Sequence, residues 1–356
     1  MVYSTEVQTV FDEIYSECPP IPKLKWRKIR KEYYPNTIEE EMLSFLKKEE
    51  MSNNDRIKIF DNEEFIKKNS GRFGNKYFSP IFGNRFMDNI FVFEIIDKIN
   101  FYTNLTENLT YFSIDRSENL VEIWRVYNFV KRLSKIQIDN QRILLFGIDL
   151  KKEMNERGTF EFSNINSGVC INFNTIIIWR KEEMPKVLCH ELVHMLQLDY
   201  VLDSDNFPKL ARRLFKISSS SPSIPNEGIT DCLTLFIMSY INSKKIGMDS
   251  ETVFREELEW TCQLMYNIWS KLNQNMITYE TDVISYYFIK GFLMFQLTQD
   301  ETFIQYFLFG TIIGGQKKYS KIQEILHNVE FLNKFKQYYN SIEKKVFTSL
   351  KMSKFT

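Results

Sequence analysis

The chain has 356 residues, of which 44% are hydrophobic and 15% aromatic, so it is a globular protein with apolar surface for one large core or two modest ones. Lysine plus arginine equals aspartate plus glutamate at 46 each, which leaves no global field to select nucleic acid or an anionic membrane as partner. Five cysteines, odd in number and without CxxC spacing, suit reduced thiols and exclude a disulfide framework.

In chain order, the first thirteen residues are acidic and lack an apolar secretory core, and no later stretch reaches membrane-spanning length. The expected compartment is the cytoplasm. A single alanine, Ala211, among abundant Lys, Asn, Ile, Phe and Tyr marks an AT-rich coding sequence of the kind a large DNA virus carries, acting in the host cell or virion. Residues 23–31 are basic and read as a solvated segment facing the acidic helix that follows at 37–51, where Thr37 and Glu40 form a capping box. Gly, Asn and Pro concentrate at 71–86, so residues 1–84 are assigned to a mostly helical N-terminal extension and 85–350 to the main domain.

Within that domain the periodicity predicts helices at 86–100 and 118–135, then strands at 142–146, 159–163 and 171–179, rich in β-branched and aromatic residues. The acceptor-like Asn104-Leu-Thr and Asn108-Leu-Thr carry little meaning without a secretory signal. A helix follows, with Pro185 in its first turn and Glu182 and Glu183 at its positive end. Past residue 200 the strands stop. A short helix at 206–216 and a Ser/Pro loop at 218–225 lead into helices at 226–243, 251–273, 282–297 and 319–346. The expected class is α+β: a β-containing lobe at 85–200 that ends in the Pro185 helix, then an all-helical lobe at 201–350.

Histidine occurs only three times, and two of the three fall in His190-Glu191-Leu192-Val193-His194. This is the HExxH metal-binding pattern, which chance would produce in roughly one of several hundred chains with so little histidine. Histidines four apart on a helix share a face, so both imidazoles reach one metal ion with Glu191 beside it, while Leu188, Leu192 and Met195 bury the opposite stripe. A catalytic zinc site needs a third protein ligand. Glu227, in Pro225-Asn226-Glu227-Gly228-Ile229-Thr230-Asp231, is the candidate, and Asp231, one helical turn on, is placed to accept the outer N–H of a ligating histidine. Cys189 and Cys232 adjoin the motifs and read as packing residues rather than ligands.

HELVH followed by NEGITD, an NExxxD pattern, resembles the gluzincin metallopeptidases and, in its second motif, their thermolysin-like branch; the match covers about residues 185–235. The resemblance implies a two-lobed zincin-like fold. It also implies a zinc ion held by His190, His194 and Glu227, with Asp231 supporting a histidine. Peptide bonds of a peptide or protein substrate are then hydrolysed through a zinc-bound water with Glu191 as general base. The family's oxyanion donor has no firm counterpart: Tyr287 is chosen over Tyr286, both on the 282–297 helix, and His327 reads as structural. The strand ending at Trp179 is expected at the cleft edge, with Trp179 equally suited to the core. The GxMxN motif of the related aminopeptidases is absent, which counts against that activity and leaves endo- and carboxypeptidase action open. The alternative to a hydrolase is a weak or inactive zincin-fold protein that binds a peptide or protein partner. Oligomeric state leaves no mark in the sequence.

Overall fold

The chain opens with a helix that the sequence reading passes over. In the computed structural model, α1 (Thr5–Ser16) begins where the Ser4 hydroxyl accepts the Val7 amide at 3.3 Å, which satisfies one of the orphan donors of the first turn. The structure describes residues 2–28, 100–116, 118–134, 141–149, 152, 166–171, 173–199, 225–272, 284–300, 329–345 and 353–355. Outside them lie the helices expected at 37–51, 86–100 and 206–216, the boundary at 71–86, the strand at 159–163, nearly all of the Ser/Pro loop, and His327.

The chain divides into two units. The smaller comprises Lys23–Glu118 and Leu144–Ile148, and the regular elements among its described residues are strands. β1 (Arg27–Lys28), β2 (Phe101–Asn104) and β3 (Leu109–Ser113) pair antiparallel in sequence, and β4 (Arg142–Gly147) lies beside β3. Phe112 stacks on Phe146 with ring centroids 4.9 Å apart, and the Tyr111 ring lies so close to Gly147 that any side chain there would collide with it. The two Asn-Leu-Thr sequences fall at the turn between β2 and β3. Their hairpin escaped the periodicity reading because each strand is short.

The larger unit comprises Met1–Pro22, Asn119–Ile143 and Asp149–Thr356. Its strands are β5 (Gly168–Ile171) and β6 (Thr175–Ile178), an antiparallel hairpin with Gly168 opposite Ile178. The single strand expected at 171–179 is thus two strands and a turn. Alternation of apolar residues with Asn172 and Asn174 mimics a strand, but asparagine also favours turns, and Phe173 takes up the left-handed conformation at φ 56°.

The helices of this unit are α2 (Val121–Leu133), α3 (Met184–Met195), α4 (Pro225–Ile246), α5 (Ser250–Leu272), α6 (Lys290–Gln299) and α7 (Val329–Ser341). A π-helical turn, Ile284–Ile289, runs directly into α6, so the helix expected at 282–297 changes pitch along its length. α4 is buried on every face from Ile229 to Ser243, as a central helix must be when neighbours surround it. α1 packs here too: Phe11 sets its edge against Phe129 at 5.2 Å and Tyr240 at 5.0 Å. Trp124 of α2 donates its indole N–H to the Pro19 carbonyl at 2.8 Å. Residues 2–22 therefore enlarge this core. Phe331 and Phe335 of α7 close on Phe292 and Phe295 of α6. The architecture is α+β, and no helix among the described residues is long and apolar enough to cross a membrane.

Candidate metal centre

The site is built wholly within the larger unit, on α3 and the start of α4. Leu188, Leu192 and Met195 are buried, as their spacing requires, and Pro185 sits in the first turn, where its missing N–H is harmless. The start of the helix differs from expectation in one respect. Glu183 is the N-cap in a left-handed conformation (φ 59°) without a capping side-chain bond, and its buried carboxylate turns to Lys152 at 2.8 Å and the Ser353 amide at 2.7 Å. Its oxygens are taken up by these partners and not by the amides of the helix's first turn.

His190 and His194 stand one turn apart with ring centroids 4.8 Å apart and Nε2 atoms separated by 3.1 Å. Glu227, in the first turn of α4, brings Oε2 to 3.2 Å from His190 Nε2 and 3.5 Å from His194 Nε2. Among the described residues these three form the group able to hold a metal ion. Cys189 and Cys232 are fully buried and outside it, and burial pushes both thiols up.

Each imidazole turns its other nitrogen to a carboxylate. Asp231 Oδ1 lies 3.2 Å from His190 Nδ1, the contact its spacing from Glu227 predicted, and Asp199 Oδ2 lies 2.7 Å from His194 Nδ1. With its proton on Nδ1, each imidazole would donate outward to its carboxylate and turn the Nε2 lone pair to the shared point beside Glu227. No spacing in the sequence points to Asp199. It arrives there because α3 ends in a Schellman turn: Gln197 is left-handed at φ 52°, its amide bonds the His194 carbonyl, and the Leu198 amide bonds the Val193 carbonyl, each at 2.9 Å. Glycine normally marks that turn, and glutamine hides it. The Thr230 hydroxyl then donates to Asp199 Oδ2 at 2.8 Å.

Glu191 is buried beside the pair. A side chain on Gly168 of β5 would come within 3.1 Å of Glu191 Oε1 and 2.8 Å of Val187, so glycine lets the hairpin close over this carboxylate. Burial raises the Glu191 carboxyl above its ordinary range, against the pull of both imidazoles. For the histidines burial acts the other way and is outweighed: the bonds of His190 to Asp231 and Glu227, and the charge of Glu227 with the Asp199 bond at His194, raise both. Glu227 is held well below the usual carboxylate range, burial notwithstanding, by His194 and His190. The pocket favours positive charge at its centre.

Beyond the donors, the π turn places the Tyr286 ring 6.1 Å from the His190 ring. Tyr287 is fully buried with its ring 5.5 Å from Lys290 Nζ. Of the two tyrosines, Tyr286 is the one brought against a donor. Trp179 is half-buried just beyond β6. Two buried lysines, Lys186 and Lys290, flank Asp231, a feature without any signal in the motif pattern. No protein-family model, curated protein or solved structure matches the chain. The chemistry has to follow from these atoms.

Proposed function

We propose that the protein is a zinc-dependent peptidase of gluzincin type on a zincin-like fold, with His190, His194 and Glu227 as ligands. The observation that carries this reading is the triangle of donor atoms, with sides of 3.1, 3.2 and 3.5 Å. A tetrahedral zinc ion with bonds of about 2.0–2.1 Å needs its donors about 3.3 Å apart, so the three atoms fit that ion, and a borderline cation suits a set of two imidazoles and one carboxylate. Bound there, zinc supplies a Lewis acid that acidifies water and polarises a carbonyl.

The remaining steps belong to the chain's own residues. Glu191 accepts a proton from the attacking water and passes it to the leaving amine, a buried carboxylate beside the two histidines being placed for both transfers. Asp199 and Asp231 fix the tautomer and orientation of the two imidazoles. Tyr286, by its place beside His190, takes over from Tyr287 as the candidate hydroxyl donor to the developing oxyanion. Among the described residues β5 pairs with β6 alone, which leaves its outer edge for an extended peptide, a role expected of the strand ending at Trp179.

The test is metal content together with cleavage. Purified protein is expected to hold close to one zinc per chain, and to cleave members of a proteome-derived peptide library in a manner abolished by a chelator and restored by zinc. Less than half an equivalent of tightly held zinc overturns the metal assignment. Full zinc with no cleavage of any peptide leaves the site to a protein that binds peptides without cutting them.

A further inference from the structure

Asp231 is 0% exposed and touches three groups. Its Oδ1 meets both His190 Nδ1 and the Lys186 ammonium, and its Oδ2 pairs with Lys290 Nζ at 2.8 Å. Both lysine side chains are also buried, at 2% and 0% exposure. An ammonium group held away from water carries a penalty of several kcal/mol unless well paired, and apolar residues of similar size would fill the same space more cheaply. Packing alone does not account for two of them around one carboxylate.

Their origins show what they do. Lys186 precedes His190 by one turn of α3 and shares its face. Lys290 follows the π turn, whose extra residue per turn sets the position at which the side chain enters the core. Asp231 stands one turn after Glu227 on α4. Three helices thus meet at one carboxylate, which contacts one proposed ligand and shares a helix turn with another.

We infer that Lys186 and Lys290 are positioning residues for the metal site, clamping Asp231 between them so that its Oδ1 holds His190 with Nε2 facing Glu227 and His194. This rests on the zinc reading above. Two effects of losing Lys290 oppose each other. A carboxylate with one cation fewer is a stronger acceptor, which by itself would make His190 a better ligand. It is also free to rotate toward Lys186, which shares Oδ1 with His190, and so to release the imidazole. The clamp requires that orientation wins.

The test measures zinc affinity by chelator competition, with the visible spectrum of the cobalt-loaded protein as a second reading. Lys290→Met is expected to weaken zinc binding roughly 10–100-fold, the range for loss of a group supporting a ligand, and to shift the cobalt bands. In an Asp231→Asn background the same substitution should change affinity little, since its effect runs through that carboxylate. Unchanged or tighter binding by folded Lys290→Met overturns the inference, as does a loss that persists undiminished without Asp231. Should the variants not fold, the wild type decides: zinc added to the metal-free protein shifts the ammonium resonances of Lys186 and Lys290 if they clamp the site, and leaves them in place if they do not. Wild-type protein that takes up no zinc at all refutes the metal reading itself, a result obtained before any variant is made.

Discussion

Helix α4 carries two unlike interiors. At its start Glu227 and Asp231 enter a pocket of histidines, carboxylates and buried lysines, where the contacts are directional, at 3.2 Å to His190 from each carboxylate and 2.8 Å from Asp231 to Lys290. Two turns later Phe236 and Tyr240 enter an aromatic cluster: Tyr3 stacks on Phe236 at 4.3 Å, and Phe254 and Phe11 meet the same ring edge-on at 5.7 and 5.8 Å. The aromatic end gains free energy from removed surface, which is non-directional and proportional to area. The charged end gains little net from its ion pairs once desolvation is counted, and what it secures is geometry. One helix therefore anchors the fold at one end and orients the candidate metal donor Glu227 at the other.

The sharpest break between the two ends comes from Glu191→Gln. The amide fills the same volume but cannot take a proton, so kcat/KM for a cleaved peptide should fall by about 10²–10⁴, the usual contribution of a general base. Zinc content and melting temperature should stay close to wild type. A variant that keeps full activity removes Glu191 from the chemistry.

At the other end, Phe236→Ala removes a fully buried ring from the aromatic cluster and should cost about 3–5 kcal/mol of unfolding free energy, read by denaturant titration. Zinc affinity of the folded fraction should hold, because the ring lies more than one turn from Asp231. A large affinity loss would show that the two ends are one unit energetically. Asp199→Asn has the reverse signature. The loss of a charged acceptor for His194 should weaken zinc binding roughly 10–100-fold, by chelator competition, with the aromatic cluster intact.

What the sequence discloses follows the same division. His190, His194, Glu227 and Asp231 are legible because helical periodicity turns a spacing of four into a shared face, and α3 and α4 are regular there. Asp199 is not, because it depends on a left-handed Gln197 where the usual signal is glycine. Nothing in the motif spacing ties Lys186 or Lys290 to Asp231, and only tertiary contact reveals them there at 2% and 0% exposure. Tyr286 and Tyr287 are adjacent, so choosing between them needs the helix phase, which the π turn shifts from its regular value. The α1 helix does carry a sequence signal, Val7, Val10, Phe11 and Ile14 at three-to-four spacing after Ser4, but its place in the core is fixed by partners distant in sequence: Tyr3 donates its hydroxyl to the Phe236 carbonyl at 2.6 Å.

The smallest expected effect tests whether α1 is held by packing or by polar contacts. The Tyr240 hydroxyl donates to Asp12 Oδ1 at 2.6 Å, the one direct bond from the aromatic stretch of α4 to a charged group of α1. A hydrogen bond to a charged group contributes about 1.5–3 kcal/mol when well shielded. Here the Asp12 side chain is 48% exposed and keeps Lys244 at 2.6 Å, so water and that ammonium replace most of what the hydroxyl gave. Tyr240→Phe should therefore lower the unfolding free energy by only about 1 kcal/mol, since the ring itself stays against Phe11 and Phe129. Packing, read by Phe236→Ala, then exceeds the polar contact, read by Tyr240→Phe, by a factor of several. Equal losses in the two variants, measured by the same denaturant titration, would mean that this end too is organised by a polar contact, and the contrast along α4 would disappear.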